Sequence, residues 1–140
     1  MNKPALEGLL ERLEKCEGPD REIDFWISAR IYNPSHHTDA ELQADIDAVG
    51  IEGMVIEAPY TASLDACIAL VERVLPGYRW HLHSVAYVDG AYQGDGIGRA
   101  DIHSPLSSGW GPKWFSCAPG YALPLLTATV KALIAETKNK

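Results

Sequence analysis

The chain has 140 residues, three cysteines and a formal net charge of −7. That length suits one domain, which buries about two-thirds of its unfolded surface and needs no metal or disulfide staple. The acidic balance argues against a broad nucleic-acid-binding surface, although a local basic pocket for a small anion stays compatible with it. Cys16, Cys67 and Cys117 are odd in number and widely spaced, which fits a reducing compartment rather than a disulfide framework. The N-terminal stretch lacks a signal-peptide pattern, and no run approaches the ~20 apolar residues of a membrane span, so the expected home is the cytoplasm.

Leu6, Leu9, Leu10 and Leu13 recur at helical spacing and predict a first helix over about 4–16. Asp20 is a candidate cap for a second helix, with Ile23, Trp26, Ile27, Arg30 and Ile31 on one face and Asn33-Pro34 as its stop. "TDAE" at 38–41 is a capping box, followed by Leu42, Ile46 and Val49 on one face and Gly50 as a terminator. "GMVIEA" at 53–58 reads as a short strand. Ser63 caps the next helix, whose stripe is Leu64, Ile68, Val71 and Leu75, with Cys67 as a small core residue.

Residues 78–104 alternate at period two and carry turn glycines, which predicts a hairpin with "GDGIG" at 94–98 near its tip. Residues 105–120 read as a long loop. A last helix begins near Pro124, with Leu126, Val130, Leu133 and Ile134 facing the core. Helices and an antiparallel hairpin in one short chain make an α+β sandwich, a single domain of helices on a short antiparallel sheet.

Three stretches carry a family resemblance. "LEKCEGPDREID", "PYTASLDACIALVERVLPGYRWHL" and "ALPLLTATVKALIAE" resemble the opening, central and closing signatures of the phage ABA-sandwich domain family. Residues 31–53 depart from that pattern as an insertion or divergent segment. Leu123 stands where the family commonly has a capping threonine. The resemblance implies a small phage or prophage protein in a bacterial host and a sandwich fold, and no particular activity.

Two runs, "RWHLH" at 79–83 and "RADIH" at 99–103, end in histidine. Trp80, Leu82, Ala100 and Ile102 want the core. Pairing Leu82 with Ile102 and Ser84 with Ala100 satisfies both strands and puts His81 opposite His103, His83 opposite Asp101 and Val85 opposite Arg99. His81, His83, Asp101 and His103 are then an alternative metal set, serving a small metal-dependent hydrolase. His36-His37 is read as a solvated pair in a loop.

The favoured chemistry on the same face is anion recognition. Arg79, Arg99 and Lys113 supply charge, and Tyr87, Tyr92, Trp110, Trp114 and Phe115 supply flat faces for a base. "GDGIG" lacks the strand-then-helix context of a phosphate loop, and no G-x-S-x-G, H-E-x-x-H or paired zinc-cysteine pattern occurs, so neither a catalytic centre nor a cofactor is expected. The functional expectation is a non-catalytic phage-type binding protein that sequesters a nucleotide immune signal. Homo-oligomerisation would gather positive charge at an interface. A structural module of a phage particle is the other alternative.

Overall fold

The computed structural model describes residues 2–84, 87–94, 96–105 and 113–138. In chain order the elements are α1 (Lys3–Lys15), α2 (Arg21–Ile27) running into a π-helical turn (Ser28–Tyr32), and α3 (Asp39–Val49). A 3₁₀ turn (Ile51–Gly53) and α4 (Leu64–Val74) follow, then β1 (Arg79–His83), β2 (Tyr87–Val88), β3 (Ala91–Tyr92), β4 (Ile97–His103), β5 (Lys113–Pro119) and α5 (Ala122–Lys138). The fold is α+β, as expected. Among the described residues, no helix is long and apolar enough to cross a membrane.

The helix starts follow from capping. Asp20 accepts from the backbone N–H of Glu22 and Ile23, Ser63 accepts from Ala66, and Thr38 and Glu41 complete a reciprocal box. Asp24 ties α2 to the turn before α4: its Oδ1 accepts from the Thr61 N–H at 2.7 Å and the Thr61 hydroxyl at 2.8 Å. Beyond Ile27 the ladder widens, with the Asn33 N–H donating to the Ser28 carbonyl five residues back. Val49, expected on the buried face of α3, is 61% exposed, while Leu42 and Ile46 are buried.

α5 is the centre of the molecule. Every residue from Leu123 to Val130 is buried, and a helix apolar on nearly all sides needs cover on nearly all sides. The sheet strands β4 and β5 pack on one side of α5, and α1 and α4 pack against it as well. Fully burying one leucine-sized side chain here contributes about 1.5–3 kcal/mol. The Cys67 thiol lies in this core, where burial pushes its pKa up to about 12 and leaves it inert.

The main sheet has the order β1-β4-β5, antiparallel throughout. Its register differs from the expected one by two residues: Trp80 pairs with Ile102, His81 with Asp101, Leu82 with Ala100 and His83 with Arg99. A two-residue slip keeps every side chain on its face, so alternation cannot distinguish the two registers. Val85 lies outside the described residues.

Four further expectations are corrected. Residues 113–119, read as loop, form β5. Residues 53–58 form no strand; the Met54 N–H bonds back to the Ile51 carbonyl and the Glu57 N–H to the Ser28 hydroxyl, neither of them a ladder bond. α5 begins at Ala122, and Pro124 sits inside its first turn, where no intrahelical N–H is needed. The hairpin tip is Asp89-Gly90 between β2 and β3, both with positive φ (51° and 81°), as a two-residue turn of matching twist requires. "GDGIG" instead leads into β4, where a Cβ on Gly98 would lie 2.0 Å from the Gly120 carbonyl oxygen.

Candidate functional site

Antiparallel pairing sets three rows across the sheet face that turns away from α5. Arg79, His103 and Lys113 form one row, His81, Asp101 and Phe115 the next, and His83, Arg99 and Cys117 the third. The even-numbered partners Trp80, Ile102 and Trp114 lie on the other face, together with Leu82, Ala100 and Ser116. Arg79, His81, Lys113 and Phe115 are exposed, whereas Asp101 and His103 are buried among them.

Asp101 is the hub. Its Oδ1 accepts from Arg99 Nε at 2.8 Å, and its Oδ2 lies 3.2 Å from both Lys113 Nζ and His83 Nε2. Burial alone would raise its carboxyl, but hydrogen bonds and charge from Arg99 and Lys113 outweigh that and hold it below the usual carboxylate range. The Arg99 guanidinium also lies over the Phe115 ring, 4.4 Å from its centroid. His81 sits between two imidazoles: its centroid is 5.6 Å from that of His103, edge to face, and 6.4 Å from that of His83, stacked. Burial first, then His81 and Lys113, hold His103 below the usual imidazole value.

The structure therefore brings together seven of the nine expected site residues: Arg79, His81, His83, Arg99, Asp101, His103 and Lys113. Trp114 is separated from them. It lies on the α5 face, stacked on Tyr78 at 6.3 Å, and Tyr78 in turn donates to Glu136 of α5 at 2.8 Å. Trp110 lies outside the described residues. The aromatic ring that does join the basic rows is Phe115, which parity along β5 identifies only once that segment is known to be a strand. Among the described residues no group of three or more His, Cys, Asp or Glu is placed to hold a metal ion, the alternative set of His81, His83, Asp101 and His103 included.

The largest cavity described, about 590 Å³, lies elsewhere, between the starts of α1 and α3, and is lined by Asn2, Arg30, His36, His37, Thr38 and Asp39 among others. Its one buried cation, Arg30, is spent on Asp39 and the Ser35 carbonyl. His37 pairs with Glu41 at the exposed surface.

Comparison with family models, curated proteins and solved structures gives no match, so the likeness to phage ABA-sandwich proteins rests on the sequence motifs alone.

Proposed function

We propose that this chain is a non-catalytic, phage-type binding protein that sequesters a nucleotide through the exposed face of its sheet. One observation carries the reading: a protein of net charge −7 collects Arg79, Arg99, Lys113 and three histidines on one face, around a single buried carboxylate. Guanidinium and ammonium groups supply donors for phosphate oxygens. The Arg99–Phe115 pair supplies a flat edge against which a base can lie. Within the phage setting that the sequence motifs imply, capture of a nucleotide immune signal in the host cytoplasm is the matching role. Self-association belongs to the same proposal, since two such faces brought together pool charge that one acidic chain holds only locally.

The test is thermal-shift screening of the purified protein against linear and cyclic nucleotides. A ligand at 100 times its dissociation constant stabilises the fold by about 2.7 kcal/mol. Arg99→Ala and Lys113→Ala should each reduce the shift of any hit. The absence of a shift with every nucleotide removes the reading.

A further inference from the structure

We propose that a second, separate site binds a free apolar α-amino acid of about leucine size, in the cavity between the π-helical turn, the segment before α4 and α4 itself. This cavity shares no residue with the sheet face, so the proposal goes beyond the anion-binding reading and stands or falls independently of it.

The cavity has a volume of about 330 Å³ and three walls. Tyr32 closes the π-helical turn, and Glu57 and Tyr60 precede α4. The third wall is one face of α4, where Ala66, Ala69, Leu70 and Arg73 recur at helical spacing. A widened turn inside a helix is frequent at functional sites. Here it also anchors the facing wall, since the Ser28 hydroxyl inside it accepts from the Glu57 N–H at 3.1 Å. The backbone of Tyr60 is held in turn by the Cys67 thiol, which donates to its carbonyl at 2.9 Å.

Tyr60 is the residue that points to a ligand. It is 2% exposed and lines the cavity, yet its hydroxyl makes no hydrogen bond among the described residues. A buried tyrosine ordinarily finds a partner for its hydroxyl, because an unpaired buried polar group is costly. Burial first, then Tyr32 and Glu57, push its pKa up to about 12 against a smaller opposing pull from Arg73. The hydroxyl therefore stays protonated and free to donate.

The charges define the ligand class. Arg73 and Glu57 line the same cavity without pairing with each other, and neither makes an ion pair among the described residues. The Arg73 guanidinium instead lies over the Tyr32 ring, 4.0 Å from its centroid. A guanidinium recognises a carboxylate through forked donors, and a carboxylate accepts from an ammonium. One ligand that carries both groups answers both side chains. Glu57 repels an anion that lacks the ammonium, and Arg73 repels an amine that lacks the carboxylate, so a zwitterion is selected over either. Ala66, Ala69 and Leu70 offer its side chain an apolar floor. At about 30 Å³ for each water-sized group, the space suits about ten non-hydrogen atoms, which is the size of leucine.

The experiment is an amide chemical-shift titration of the isotope-labelled full chain. The probes are L-leucine, isocaproate, which lacks only the ammonium, and isoamylamine, which lacks only the carboxylate. Leucine should shift the amides of Tyr32, Tyr60 and Ala66 most, and should bind at least about tenfold more tightly than either analogue. Tyr60→Phe should leave the stability of the free protein unchanged, because the hydroxyl holds no internal bond, and should weaken leucine binding about three- to tenfold. Glu57→Gln, at an exposed position, should fold and remove most of the preference for leucine over isocaproate. Arg73→Gln, also exposed, should do the same for the preference over isoamylamine. Equal binding of leucine and the two analogues, or leucine binding untouched by Tyr60→Phe, overturns the inference. So does the absence of shift changes with leucine, methionine and phenylalanine alike at millimolar concentration. Each of these results leaves nucleotide capture by the sheet to its own test, because the two sites have no residue in common.

Discussion

Asp24 and Asp101 are both almost fully buried, with 1% and 5% of their surface exposed, yet they do opposite work. Asp24 sits in the helical half and accepts from the amide and hydroxyl of Thr61, two neutral donors held by the turn before α4. Asp101 sits on the sheet and is surrounded by Arg99, Lys113 and His83, all side chains that reach solvent. A carboxylate satisfied by neutral donors in the interior staples two segments together. One satisfied by cations under an open face is the counter-ion of a surface that a competing anion can reach. Equal burial therefore says little about role; the donors decide it.

The comparison can be broken most sharply at Asp24. Asp24→Ala strands the buried Thr61 N–H and releases α2 from α4, and should cost about 2–3 kcal/mol of stability in a urea titration. A loss below about 0.5 kcal/mol would show that the staple is dispensable.

Asp101→Asn should cost less, about 1 kcal/mol at pH 7, since its partners regain water. The folded carboxyl lies below its unfolded value of about 3.9, so its contribution is complete above that value and fades as pH falls through the folded one. The difference between wild type and variant should accordingly shrink below pH 4, in urea titrations run from pH 7 down to pH 2.5. The same variant should bind any nucleotide that shifts the wild-type protein several-fold more tightly, because Arg99 and Lys113 lose their internal competitor. Weaker binding would mean that Asp101 positions the cations rather than competing for them.

The smallest effect is expected at Arg21, whose 3.4 Å ion pair with Asp24 is made by a side chain 61% exposed. Arg21→Ala should shift stability by less than about 0.5 kcal/mol. A larger loss would mean that Asp24, too, relies on a cation, and would erase the contrast.

The capped helices are readable without a structure because their signals are local. Asp20, Thr38 and Ser63 satisfy amides two or three residues away, so the sequence window contains both partners. Face parity on β1 and β4 is readable too, since Trp80, Leu82, Ala100 and Ile102 alternate with charged and histidine residues. β5 hides because its outward residues Phe115 and Cys117 are as apolar as its inward Ser116 and Ala118, leaving no alternation to detect. Residues 53–58 mislead in the other direction: Met54, Val55 and Ile56 have strand propensity, but a strand exists only where another strand lies beside it.

The sequence by itself determined the α+β class, the starts of three helices, the core stripes of α1 and α5, and which residues of "RWHLH" and "RADIH" share a face. These depend on contacts a few residues long or on a period of two. Only the tertiary structure decided which rows form across the sheet, that Lys113 and Phe115 join them while Trp114 turns to α5, and that Asp101 becomes the hub. Those facts depend on a two-residue choice of register and on a third strand that pairs with β4. Neither leaves a mark in local periodicity, because the energy that selects them lies in contacts between distant segments.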